Sequence, residues 1–275
     1  MIIEFFGPPG AGKTTLARAL AARLRERDYT VDLVLSHRPA ERSPSQNVTP
    51  STSTLRKTSF AALRLTRPLA ELVSMILRPR GISRDLGTAL ALIKILPPSN
   101  ALSSLRLLQY VSRLSHAWFR RSAIAHIVLF DQAFVQAICS LTLLCGIADE
   151  ALISYALDIV PEPDLLIHLD APTTLLEERL RDRHDLGGKV ERLLDLDVET
   201  SLSSRNIVDL LHELLRKKGR DVVSISSLNQ SSLAAAVEQM ERQIVSIVEQ
   251  RKRGAIKPAH VEAKVSGHSL LNHFP

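Results

Sequence analysis

Along the chain, short apolar runs alternate with longer stretches in which hydrophobic positions recur every three or four residues. The runs fall at 2–6 (IIEFF), 30–35 (TVDLVL), 125–131 (AHIVLFD), 164–170 (DLLIHLD) and 221–226 (DVVSIS). Their length and content predict five β-strands. Four are short apolar runs, as in a parallel sheet covered by helices on both faces. The first differs, because Glu4 places a carboxylate inside it that must find a partner or hold a proton. Helices are predicted where Leu16, Leu20 and Leu24 share a face, and where Leu233, Val237, Met240, Ile244 and Ile247 do so from 232 onward. Thr174 with Glu177 predicts a capping box for a helix over 175–183.

Between the second and third strands lies an insertion at 36–122, about ninety residues long and more than a crossover requires. Its first part, 36–59, is rich in Ser, Thr, Pro and Arg and reads as a mobile basic loop. Its second part is helical by spacing: Leu65, Leu69, Leu72 and Ile76 share one face, and Leu107, Val111, Leu114 and Trp118 another. Pro97 and Pro98 separate two of these helices. The predicted organisation is one domain over 1–250 carrying this insertion, followed by a flexible tail over 251–275.

Composition narrows the classes. With 45% hydrophobic residues the 275-residue chain has ample material for a core, which excludes global disorder. Aromatics at 4% argue against a stacking platform for single-stranded nucleic acid. Cys139 and Cys145, the two cysteines, cannot form a disulfide framework and read as reduced thiols. The most apolar stretch, 133–148, contains Gln136 and falls short of the roughly 18 to 20 residues of a spanning helix. No leader precedes the first strand, so a soluble cytoplasmic protein is expected. The net charge of +6 is uneven, since residues 36–84 hold nine Lys or Arg against two acids. Such a cationic segment suits an anionic partner.

The chemistry is concentrated in GPPGAGKTT, residues 7–15. Gly7 to Thr14 match G-x-x-x-x-G-K-[ST] in full, between a predicted strand and a predicted helix. Glycines let backbone N–H groups turn inward around phosphate oxygens, and the helix offers its positive end to the same anion. The loop Gly7, Pro8, Pro9, Gly10, Ala11 and Gly12, with Lys13, Thr14 and Thr15, is therefore expected to hold ATP. Lys13 would reach the β- and γ-phosphates and the Thr14 hydroxyl would ligate Mg²⁺. Such a loop needs a carboxylate at the end of a neighbouring strand. Asp131 closes AHIVLFD and is the favoured acid, as Mg²⁺ ligand or as acceptor of the attacking hydroxyl's proton. Asp170 closes DLLIHLD and competes, although the helix start after it suits a capping role.

These residues, in this order, resemble the P-loop nucleoside and nucleotide kinases, most closely the thymidylate kinase-like group. The resemblance runs from residue 1 to about 250, with the phosphate loop its most specific part. It implies an α/β three-layer P-loop NTPase fold with a central five-stranded parallel sheet and a helical insertion between strands 2 and 3. LVLSHRPAE stands where the family has Arg-Glu-Pro-Gly, with Arg38 and Pro39 in a similar arrangement. Asp131-Gln132 stands where the family has Asp-Arg, and EPDLLIHLDAPTTLLEERLRDRH is similar to its fourth strand and lid. Arg38, Gln132 and Gln136 are thereby implied on the acceptor side. A neutral Gln132 suits an acceptor with less negative charge than a monophosphate, or a different shape.

In the lid, Arg179 and Arg183 lie four apart on one helix face, where they could close over the transferring phosphate. Pairing with Glu178 or Asp182 is their plainer use. Asp185 to Lys189 (DLGGK) reads as a hinge, with Lys189 and Arg192 as weaker candidates. Ser227, Leu228 and Asn229 fall where relatives form the adenine pocket, and no guanine-reading Asn-Lys-x-Asp occurs, so ATP is preferred to GTP. Two functions remain: a Mg²⁺-assisted ATP-dependent kinase of a small molecule, with a nucleoside or nucleotide ahead of a sugar or antibiotic, or a regulatory ATPase whose basic insertion meets a partner or an anionic surface. The expected partners are thus ATP and a small acceptor, with a peripheral anionic contact and a homodimer left open and no strong nucleic-acid signal.

Overall fold

The computed structural model describes residues 1–36, 82–122, 126–146, 148–186, 198–226 and 229–254. The basic loop at 36–59 beyond Ser36, the helical face of Leu65 to Ile76, and the tail beyond Gly254 lie outside them. The strands are β1 (Ile2–Phe6), β2 (Val31–Val34), β3 (Ile127–Phe130), β4 (Leu165–Asp170) and β5 (Val222–Ser226). They form one sheet in the order β2-β3-β1-β4-β5, parallel at every junction. All five coincide with the apolar runs to within two residues at each end.

The helices among the described residues are α1 (Lys13–Arg25), α2 (Ile82–Ile95), α3 (Ala101–Ser122), α4 (Phe134–Cys145), α5 (Glu150–Ile159), α6 (Thr173–Leu186), α7 (Val198–Lys217) and α8 (Gln230–Lys252). Strand periodicity divides them between two layers. Ile3 and Phe5 pack with Leu16, Leu20 and Leu24 of α1 and with Met240 and Ile244 of α8. Ile2 and Phe6 face the opposite way, into a core built with α2, α3, α4, α5 and α7. The result is the three-layer α/β P-loop NTPase fold. Helices α2 and α3 fall between β2 and β3, with Pro97 and Pro98 between them. The Asn100 side chain accepts from Ser103 N at 2.7 Å and so opens α3.

Helix α3 docks through Trp118, which stacks on Phe130 (5.1 Å between ring centres) and meets Phe134 edge-on (5.3 Å). Arg121 pairs with Asp32 of β2 at its far end. On the other layer, the buried Asp164 carboxylate accepts from Ile2 N and from Arg251 of α8, both at 2.5 Å. The Asp164 contacts tie α8 to the start of β1. Among the described residues no helix is long and apolar enough to cross a membrane.

The capping box predicted at Thr174 and Glu177 is not formed. Helix α6 begins at Thr173, so Thr174 lies inside its first turn, and Glu177 pairs with Arg181 at 3.1 Å instead. A capping box does form at α8, between Asn229 and Ser232. Both cysteines are free, and burial pushes the Cys139 thiol up to about 12.

Glu4 is wholly buried. Burial raises its carboxyl to about 8, against the opposing pull of backbone N–H groups at Val135, Gln136, Phe134 and Ala133. The unfolded chain therefore ionises at this position from the ordinary value of 4.5 upward, while the folded one does not until about 8. Stability is complete below the lower value and is lost as pH rises toward the upper one. Glu4→Gln, which cannot ionise, should match the parent's melting temperature near pH 4.5 and exceed it increasingly up to pH 8. Thermal melts across that interval check the divergence.

Candidate nucleotide site

The phosphate loop leaves β1 at Gly7 and enters α1 at Lys13. At Gly7 φ is +149°, and an added Cβ would lie 2.2 Å from the main-chain oxygen of Leu169, so glycine alone lets the loop pass β4 this closely. Gly12, at φ +95°, is the residue from which α1 springs. Lys13 is buried, and its Nζ donates to the carbonyls of Gly7 (2.7 Å) and Pro8 (2.9 Å). The ammonium is thus folded over the loop's rim, on oxygens that phosphate oxygens can replace. Pro8 is buried, Pro9, Gly10, Gly12 and Thr14 are half-buried, Ala11 is buried and Thr15 is exposed.

Asp131 follows β3 and is 1% exposed. Thr14 Oγ1 donates to its Oδ2 at 2.8 Å, and Ser36 donates its N–H to Oδ1 (2.7 Å) and its hydroxyl to Oδ2 (3.2 Å). The carboxylate therefore joins the loop, the end of β2 and the end of β3. A hydroxyl and a carboxylate oxygen side by side are hard donors that suit Mg²⁺, which takes its remaining ligands from phosphates and water. Among the described residues no group of three or more His, Cys, Asp or Glu forms a closed metal cage.

Asp170 is turned elsewhere. Its Oδ1 accepts from Ala171 N at 2.8 Å and its Oδ2 from Arg205 of α7 at 3.2 Å, while Arg205 also donates to Thr173 Oγ1 at 2.7 Å. The helix-capping use read for Asp170 gives way to this ion pair. Arg205 carried no local signal, since it lies 35 residues away in the chain.

Gln136 is brought to the loop. Its Oε1 accepts from Gly7 N at 3.3 Å. Gln132 is half-buried just after Asp131. Arg179 of α6 donates from Nη1 to Gly10 O at 3.0 Å, so α6 reaches the loop through this residue. Arg183 lies in α6, with its side chain outside the described residues. Arg38, Arg42, Arg56, Lys189, Arg192, Ser227 and Leu228 are likewise outside. Asn229 caps α8, its Oδ1 accepting from Ser232 N (2.9 Å) and Ser231 Oγ (2.6 Å).

One feature beside the loop escaped sequence reasoning. Phe6, the residue before Gly7, stacks on His168 of β4 at 4.9 Å, and His168 stacks on His212 of α7 at 4.5 Å. Burial lowers His168 to about 4, helped by His212, Lys13 and Arg205 and opposed by Asp170. The ring is therefore neutral at physiological pH. Its signal was its place at an inward position of DLLIHLD.

A parallel sheet in this order, with a glycine-rich loop after β1 and its threonine on an acid at the end of β3, has the architecture of the P-loop NTPase fold. The sequence matches the model of the ATPase family associated with various cellular activities (AAA) over residues 3–57 of the 275, the region of β1, the loop, α1 and β2. No curated protein matches in sequence. Among solved structures, the chain is similar to deoxyadenosine kinase from M. mycoides with bound dCTP, at 15% identity and a TM-score of 0.41, covering 90% of this chain and 100% of that one. The same enzyme with products dCMP and a flexible dCDP gives 14% identity and a TM-score of 0.43, with the same coverage. At these scores the functional reading stays with the residues themselves.

Lys13→Ala should lower ATP turnover about a hundredfold or more with the fold intact by circular dichroism. Asp131→Asn should weaken the Mg²⁺ dependence of turnover far more than Asp170→Asn, whose carboxylate serves Arg205. A Mg²⁺ titration of turnover in both variants reads the ranking directly.

Proposed function

We propose that the chain is an ATP-dependent phosphotransferase that moves the γ-phosphate to a small acceptor, a nucleoside or nucleotide before a sugar or antibiotic. The observation that carries this reading is the bracketing of the phosphate loop: Thr14 on Asp131 at 2.8 Å on one side, Arg179 on Gly10 at 3.0 Å on the other. Lys13 exchanges its two carbonyl partners for β- and γ-phosphate oxygens. Mg²⁺, held through Thr14 and Asp131, would supply charge neutralisation across the phosphates. Arg179 then offers positive charge to the equatorial oxygens of the transferring group, with Arg183 one turn further along α6. In the transfer, an acceptor oxygen bonds to the γ-phosphorus, the bond to the β–γ bridging oxygen breaks, and the acceptor's proton is released. Gln132, Gln136 and Arg38 are the acceptor-side residues in this scheme.

A regulatory ATPase is favoured by one separate observation. Helix α3 contains no acidic residue and exposes Arg106, Arg113 and Arg120 at seven-residue intervals along one side. Such a stripe suits an anionic lipid surface.

A transfer assay with radiolabelled ATP against nucleosides, nucleotides, sugars and aminoglycosides separates the two. The kinase predicts slow ATP loss alone and fast loss, with labelled product, for one acceptor class. Turnover indifferent to every small molecule but raised by phosphatidylserine vesicles would establish the switch instead.

A further inference from the structure

We infer that Glu4 and Gln136 are a coupled pair of positioning residues that hold the first peptide of the phosphate loop in its nucleotide-binding shape. This rests on the nucleotide site described above and extends it to the layer behind the loop. Glu4 lies three residues before Gly7, inside the sheet and wholly buried. Its Oε1 accepts from Val135 N at 2.7 Å and Gln136 N at 3.4 Å. These belong to the first turn of α4, whose N–H groups have no partner within the helix. Position 133, which would ordinarily cap that turn, is an alanine with no side-chain hydrogen bond. A carboxyl from the sheet has taken over the capping task.

That substitution sets the rotation of α4, and Gln136 is the residue it aims. From the same turn, Gln136 Oε1 accepts from Gly7 N at 3.3 Å, while Gly7 O accepts from Lys13 Nζ at 2.7 Å. The peptide groups on either side of Gly7 are thus gripped by α4 and by the loop lysine. Its Cα hydrogen faces Leu169 O, where no side chain fits. A register error in α4 would therefore be felt at Gly7, which cannot shift toward β4. Glu4 also carries a cost that packing alone does not explain, for its Oε2 is buried with no hydrogen-bond partner. An apolar residue would fill the position without that penalty.

The test is calorimetry of Mg²⁺-ATP binding to the full chain, well below each variant's melting temperature. Glu4→Gln keeps an acceptor oxygen and should bind within about twofold of the parent. Glu4→Met and Gln136→Met should each bind about tenfold more weakly, and the double variant no more weakly than either, because both act through one contact. A Glu4→Met protein that melts earlier yet binds as tightly as the parent would overturn the pairing, as would an additive loss near a hundredfold in the double variant. Should Glu4→Met not fold, Gln136→Met decides: unchanged affinity overturns the inference. Failure of the parent itself to bind Mg²⁺-ATP would sink the nucleotide site instead, a distinct result.

Discussion

The buried carboxylate of Asp131 is the constraint around which the rest is arranged. Removed from water, a carboxylate must be surrounded by donors, and here three are delivered by segments distant in the chain: the Thr14 hydroxyl, the Ser36 N–H and the Ser36 hydroxyl. Those donors come from the start of α1 and the end of β2. Meeting the demand of one side chain therefore fixes where the phosphate loop and Ser36 at the end of β2 sit relative to β3. The order β2-β3-β1 makes this economical, since the three strand ends are neighbours.

A second polar contact runs behind the first. Glu4 caps α4 from within the sheet, and Gln136 returns from α4 to Gly7. The residues 131–136 thus serve the loop from two directions, through the acid that follows β3 and through the first turn of the helix that follows it. Polar groups placed at such depth lower stability unless they are matched. Glu4 Oε2 and both ring nitrogens of His168 lie unmatched on the same side of the sheet, close to the loop.

Much of this was legible before any coordinates. The five strands, the glycine-rich loop with its lysine, an acid closing each of two neighbouring runs and a helix carrying Arg179 all follow from short-range patterns. The Thr174–Glu177 capping box failed because the motif identifies a cap only if the helix starts there, and α6 starts at Thr173 to place Leu176 and Leu180 in the core. Tertiary packing overrode a local signal worth about 1 kcal/mol. Arg205 and His212 were silent because neither stands in a motif; each acquires its partners from β4, more than thirty residues back along the chain.

Sequence by itself determined what depends on nearest neighbours: strand or helix, where the glycines permit a phosphate loop, and which acids end strands. Tertiary structure alone decided which of those acids the loop threonine would find, that Gln136 would serve Gly7, and that the lone carboxyl in β1 would cap a helix 130 residues later. The reason is that hydrogen bonds reach only about 3 Å. Their donors and acceptors are chosen by the sheet order and by the rotation of each helix, and those quantities belong to the assembled core rather than to any stretch of chain.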